Sequence, residues 1–142
     1  DFKKFHPLGS LGNKLKTAGD IMLKKNRIPF INENQSMKNA IRVINLKKLG
    51  VLVIINSDGI TKGVFTDGDL KRLIKKRNNI ENLKIKNFMS KNPFSVDENT
   101  LASDVLSQMN RRKITHVCIY NKENKKKTIG ILHIHNLIDN LR

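Results

Sequence analysis

The chain has 142 residues, with 28 Lys and Arg against 12 Asp and Glu and a formal net charge of +16. That length fits one domain or two small units sharing a core, and a hydrophobic fraction of 38% is enough to build it. No apolar run approaches the roughly 20 residues of a membrane span, no charged start with an apolar centre marks a signal peptide, and the single cysteine, Cys118, cannot close an internal disulfide.

Asp1 to Leu15 is broken by Pro7, Gly9 and Gly12, which predicts the tail of one element followed by a linker. The chain opens on Asp1 rather than Met and reads as a piece of a longer protein. A new unit begins at Thr17, with Asp20 expected to cap a short turn carrying Ile21, Met22 and Leu23. Ile28-Pro29-Phe30-Ile31 predicts an edge strand or extended entry. Ser36 is an N-cap candidate, and Met37, Ala40, Ile41 and Ile44 fall at helical spacing behind it. Lys47-Lys48 would close that helix and Gly50 break it. Val51 to Ile55 is a continuous apolar run, the pattern of a buried strand. Asn56 to Gly59 is a turn, Thr61 to Thr66 the paired strand, and a helix starts at Asp67 or Asp69 and runs to Arg77.

The second half repeats this course. Met89 answers Met22, and Pro93-Phe94-Ser95-Val96 answers Pro29-Phe30-Ile31. Thr100 is a cap candidate for a helix carrying Ala102, Val105, Leu106 and Met109. Ile114 to Tyr120 answers Leu49 to Ile55. Asn121 to Thr128 is a basic turn, Ile129 to His133 the paired strand, and Asn136 to Leu141 the last helix. The expected architecture is α/β: two β-α-β-β-α repeats, residues 16–80 and 81–142, related by a pseudo-two-fold axis. Neither half alone covers both faces of its sheet. The halves are therefore expected to pack together, with clefts between them.

The stretch Gly63-Val64-Phe65-Thr66-Asp67-Gly68-Asp69-Leu70 places a hydroxyl and a carboxylate where a strand turns into a helix. Thr66 can donate to a phosphate oxygen, helped by free amides at the helix start. Asp69 can accept from two ribose hydroxyls, Ile28 and Pro29 can cover a base, and Gly63 lets backbone come close. Thr66 and Asp69 can equally be helix caps with no ligand. In the second copy His133 replaces Thr66 and Asn136 replaces Asp69. Asn136 can still bond a sugar hydroxyl, and His133 and His135 can face a phosphate or an acidic sugar. As the ends of an x-His-x-His strand they would share one face. With only His116 added and no cysteine pair, they make a poor metal set, and no metal is expected. Cys118 sits in an apolar run and reads as a packing residue.

The positive charge is spread along the chain, rich in Lys rather than Arg, with few aromatics. That is a poor nucleic-acid surface and a better attractor of small anions.

The doubled plan and the Gly63-Val64-Phe65-Thr66-x-x-Asp69-Leu70 segment resemble CBS domains in tandem, a Bateman module. "DFKKFHPLGSLGNKL" at residues 1–15 resembles the end of the sugar isomerase domain of D-arabinose 5-phosphate isomerases. "GVFTDGDLKR" at residues 63–72 and "HIHNLI" at residues 133–138 are similar to the CBS region of the same family. The chain departs from the isomerase family at Leu8-Gly9, where that family usually has Gly-Gly, and its second copy departs from the CBS motif at His133 and Asn136.

The resemblance implies a domain order: residues 1–15 as the isomerase tail and linker, 16–80 as CBS repeat 1 and 81–142 as CBS repeat 2. It implies that His6 belongs to an isomerase active site whose other groups lie outside this chain. The full-length enzyme would interconvert D-ribulose 5-phosphate and D-arabinose 5-phosphate on the way to Kdo, the acidic sugar of lipopolysaccharide or capsule, while this chain alone would be inactive. The CBS pair would sense a nucleotide or nucleotide-sugar: CMP-Kdo, CMP, AMP or ATP. No cofactor is required. A homo-oligomer is expected (a CBS dimer, a tetramer in the full enzyme), in the cytoplasm, with neither nucleic acid nor membrane as partner. Two other readings stay open: a purely structural oligomerisation module, and a basic module for RNA or another anion.

Overall fold

The computed structural model describes residues 15–141. In chain order the elements are α1 (Ala18–Ile21), β1 (Leu23–Lys24), β2 (Phe30–Asn32), α2 (Met37–Lys47), β3 (Val51–Ile55) and β4 (Thr61–Thr66). They continue with α3 (Asp67–Lys76), β5 (Ser90–Lys91), β6 (Ser95–Asp97), α4 (Ala102–Arg112), β7 (His116–Tyr120), β8 (Gly130–His133) and α5 (Ile134–Leu141). The repeated strand, helix, strand, strand, helix plan is present in both halves.

Each sheet has four strands. One runs β2-β3-β4-β5, the other β6-β7-β8-β1. In both, the first pair is parallel and the next two are antiparallel. The fourth strand is the part that sequence periodicity missed. β1 and β5 are two residues long, too short to carry an alternation.

Those short strands change how the chain divides. Asn26–Pro93 forms one compact unit, and the described parts of Asp1–Lys25 and Phe94–Arg142 form the other. The sequence repeats at 16–80 and 81–142 therefore exchange their leading segments. Thr17 to Lys24 opens the first repeat, yet its β1 pairs with β8 of the second. Met89 to Lys91 lies in the second repeat, yet β5 pairs with β4 of the first.

The helix starts depend on this exchange. Leu83 O accepts from the Met37 amide at the head of α2, and Lys16 O accepts from the Ala102 amide at the head of α4. Ser36 caps α2 as expected, its hydroxyl accepting from Asn39 N at 3.2 Å. Thr100 does not cap α4. The cap position is Leu101, with no side-chain bond, and the Lys16 carbonyl satisfies the first amide instead. Asp20 is not the N-cap of α1 either. Thr17 is, and Asp20 sits three residues on and bonds back to Thr17 N at 2.8 Å. Thr17 also holds the exposed Asp20 carboxyl below its ordinary range. At the end of α2, Lys48 takes the left-handed conformation ahead of Gly50.

Each unit has its own core. Leu52, Ile54 and Phe65 pack with Met37, Ala40 and Ile44 of α2 and with Leu73 of α3. Val117, Ile119 and Leu132 pack with Val105 and Met109 of α4 and with Leu137 of α5. Burying each large side chain contributes about 1.5–3 kcal/mol. Val51, Val53, Cys118 and Ile131 on the alternate strand positions are buried as well. Burial at successive positions is why β3 and β7 read as continuous apolar runs.

Candidate functional site

In the Asn26–Pro93 unit the candidate residues meet at one end of the sheet. β2 and β3 run parallel and both start there, while β4 ends there with Thr66 opposite Val51. Ile28 and Pro29 are buried just ahead of β2, and Pro29 O accepts from Val53 N at 2.9 Å. The register therefore brings Ile28, Pro29, Thr66 and the first turn of α3 together.

Thr66 is the N-cap of α3. Its Oγ1 accepts from Asp69 N at 3.1 Å, and Asp69 Oδ2 accepts from Thr66 N at 3.0 Å. This reciprocal pair satisfies two backbone donors and makes the Thr66–Asp69 spacing a folding requirement. Arg72 Nη2 donates to Asp69 Oδ1 at 2.6 Å. The free amides expected at the helix start are partly taken, since Asp67 N donates to Gly50 O and Asp69 N to Thr66. The cap nevertheless leaves chemistry unspent. Thr66 uses its oxygen as an acceptor, so its O–H can still donate to a phosphate oxygen. Each Asp69 oxygen accepts one bond where two lone pairs are available, so sugar hydroxyls can still reach it.

Gly63 has a different duty from the one expected. A Cβ there would stand 2.5 Å from Ser90 O and 2.9 Å from Met89 Sδ. The close backbone approach it permits is that of the paired β5. Gly130 plays the same part in β8, where a Cβ would overlap the Met22 side chain.

In the other unit the residues at the matching position are His133, Ile134, His135 and Asn136. His133 is the residue before α5. Its Nδ1 accepts from His135 N at 3.0 Å, so the imidazole does the capping that a threonine hydroxyl does in α3. Ile134 N donates to Thr115 O at 2.9 Å, as Asp67 N donates to Gly50 O. β8 ends at His133 and His135 belongs to the helix, so strand alternation is not what joins them. The rings still meet: His133 stacks on His135 at 4.7 Å and takes the edge of His116 at 4.7 Å. Desolvation first, and the His135 charge second, lower the His133 pKa. Among the described residues no group of three or more His, Cys, Asp or Glu side chains is arranged to hold a metal ion. Asn136 is half-buried in the first turn of α5 at the position of Asp69.

Cys118 is buried, and burial pushes its thiol up to about 12, with a bond to Thr128 opposing. His6 lies outside the described residues. Arg72 was missed in the sequence, although its i, i+3 spacing from Asp69 was a signal. Among the described residues no helix is long and apolar enough to cross a membrane.

Comparison with known proteins agrees with this geometry. The CBS domain matches residues 18–76 and again 85–142. "Arabinose 5-phosphate isomerase KdsD" of Yersinia pestis is 34% identical over 139 residues, 97% of this chain and 42% of that protein. The chain thus spans less than half the length of the curated relatives it matches. An uncharacterized conserved protein from Pyrococcus horikoshii superposes with a TM-score of 0.77 at 25% identity, covering 91% of this chain and 94% of its own. The CBS domain of a bacterial CNNM/CorC family Mg2+ transporter in complex with ATP superposes with a TM-score of 0.80 at 15% identity, covering 99% of this chain and 97% of its own. Two matched copies, two units of one topology and the paired strand-to-helix junctions lead to one conclusion: the chain is a tandem CBS-domain pair, related over most of its length to the arabinose 5-phosphate isomerases.

Proposed function

We propose that this chain is the regulatory CBS pair of an arabinose 5-phosphate isomerase and that it binds a nucleotide or nucleotide-sugar at the Thr66–Asp69 junction. The observation that carries the reading is the unspent hydrogen-bonding capacity of that junction. The Thr66 O–H faces a phosphate, Asp69 takes the ribose hydroxyls, and Ile28 and Pro29 lie at the same sheet end as an apolar cover for the base. The ATP complex of the transporter CBS domain supports an adenine nucleotide. Kinship with the isomerases supports CMP-Kdo, the activated form of the acidic sugar to which their product leads. Taken by itself, the junction of the other unit offers His133 and His135 to an acidic sugar or a phosphate and Asn136 to a sugar hydroxyl.

In this reading the isomerase chemistry, with His6 among its groups, belongs to the full-length cytoplasmic homo-oligomer. The CBS pair makes no bond to the reacting sugar. It acts only if ligand binds two enzyme states unequally, which is what regulation requires.

Calorimetry tests the reading: ATP, AMP, CMP and CMP-Kdo titrated into the wild-type chain, Asp69→Ala and His133→Ala. Binding that is lost in Asp69→Ala is the expected result. Weaker binding of CMP-Kdo with CMP unchanged in His133→Ala would select the nucleotide-sugar for the second junction. No heat with any of the four would overturn the reading in favour of a structural module.

A further inference from the structure

The sheet of the Asn26–Pro93 unit has a second end, where β4 begins rather than ends. A strand rise of about 3.4 Å per residue puts Thr61 roughly 17 Å from Thr66. There a concavity of 420 Å3 is lined by Lys62, Lys86, Lys91, Glu33, Asn87 and Asn92, among others. Three cations face one carboxylate. None of the three ammoniums is in an ion pair among the described residues. Gathering them raises their mutual repulsion, and among the lining residues the single carboxylate of Glu33 offsets only part of it.

The other unit is an internal control. It builds the same backbone at the matching place. Lys86 N donates to Glu33 O at 3.2 Å, and Gly19 N donates to Glu98 O at 2.8 Å. Lys91 pairs with Gly63, and Lys24 pairs with Gly130. These registers put Gly19 in the place of Lys86, Asp20 in that of Asn87 and Ile129 in that of Lys62. Glu98, in the place of Glu33, is occupied by the Asn121 side-chain amide. The scaffold therefore folds without Lys62 or Lys86. Their presence in one unit alone is a property of that concavity and not a demand of the fold.

We propose that this concavity binds a small phosphorylated polyol, such as a sugar phosphate, at a site separate from the Thr66–Asp69 junction. Lys62, Lys86 and Lys91 take the phosphate as point charges. Glu33, Asn87 and Asn92 take the hydroxyls, since a carboxylate accepts and an Asn amide both accepts and donates. The volume lies within the range of small-molecule sites and suits a single sugar phosphate. Lysines alone would hold any anion. The carboxylate and the two amides are what favour a ligand with hydroxyl groups beside its phosphate.

The test is calorimetry on the full chain at constant ionic strength, with ribose 5-phosphate and inorganic phosphate as probes. Lys62→Gln, Lys86→Gln and Lys91→Gln are combined in one triple variant. Lys71→Gln, Lys75→Gln and Lys76→Gln on α3 form a control triple with the same change in charge. The expected result is ribose 5-phosphate binding that the site triple weakens about tenfold or more and the control triple less than about twofold. Each single variant should weaken it about threefold, which gives a second reading if the triple does not fold. Asp69→Ala should leave this binding unchanged, which separates it from the nucleotide proposal. Absence of binding overturns the inference, as does equal loss in the two triples. Inorganic phosphate binding as tightly as ribose 5-phosphate would overturn the polyol assignment.

Discussion

Thr66 and Asp69 hold each other: the hydroxyl accepts from the Asp69 amide at 3.1 Å and the carboxylate accepts from the Thr66 amide at 3.0 Å. The same two side chains are the candidate ligand groups, so capping and binding have to be separated by substitution. Thr66→Val keeps the shape and removes the hydroxyl. It should cost about 1 kcal/mol, the usual value of an N-cap. Thr66→Ser keeps both acceptor and donor and should stay near wild type. Urea unfolding measures the cap and calorimetry the ligand. Nucleotide affinity retained in folded Thr66→Val would remove Thr66 from the site and leave it a cap.

Capping and binding share one residue pattern, which is why the junction was legible and its role was not. Thr-x-x-Asp after an apolar strand shows in the sequence because a capping box needs that spacing. The core strands were equally legible, since β3 and β7 are buried at successive positions. β1 and β5 were hidden by their length. Gly63 and Gly130 were visible, but what they accommodate is set by Met89 and Met22, which lie far from them in sequence. The His133 cluster was half legible. The repeat points to His133 and Asn136, but the shared face that strand alternation predicts for His133 and His135 gives way to the helix start at Ile134. The lysine concavity gave no sequence signal. Its residues come from the end of β2, the start of β4 and the segment around β5, and a chain of charge +16 has lysines everywhere.

The two glycines predict different genetics. A Cβ at Gly63 meets Ser90 O first, a backbone atom fixed by strand pairing. At Gly130 the three nearest atoms all belong to the Met22 side chain. Both Gly63→Ala and Gly130→Ala should destabilise, by about 1–3 kcal/mol. Met22→Ala should rescue much of Gly130→Ala, because it removes Sδ and Cγ, the two closest of these atoms, and leaves only Cβ at 3.0 Å. Met89→Ala should rescue little of Gly63→Ala, because Ser90 O remains. Double-mutant cycles of thermal or urea unfolding read the coupling directly. Equal rescue at both sites would contradict the packing described.

Cys118 should be chemically silent in the folded chain. With a thiol pushed up to about 12 and only 2% of the residue exposed, reactive thiolate is scarce at pH 8. An ordinary cysteine, at about 8.5, would be roughly a quarter ionised at that pH. Iodoacetamide followed by mass spectrometry should show little adduct in buffer and full labelling in denaturant. Rapid labelling under native conditions would mean that β7 opens locally far more often than its burial implies.

His133 should make the fold sensitive to acid. Desolvation, with the His135 charge behind it, lowers its pKa in the folded chain. Its Nδ1 is also engaged as an acceptor from His135 N, a bond that protonation of that nitrogen abolishes. The unfolded chain titrates near the ordinary value of about 6.5. Between the two pKa values the unfolded state binds more protons, so stability rises with pH. The contribution is complete above the unfolded pKa and is lost as pH falls through the folded one. Unfolding midpoints measured from pH 7.5 down to pH 5 should therefore decline. His133→Thr restores the residue found at the matching position of α3, where the hydroxyl caps without titrating. It should flatten the decline while preserving stability at neutral pH. An unchanged slope in His133→Thr would move the acid sensitivity to other groups and remove the imidazole cap as its source.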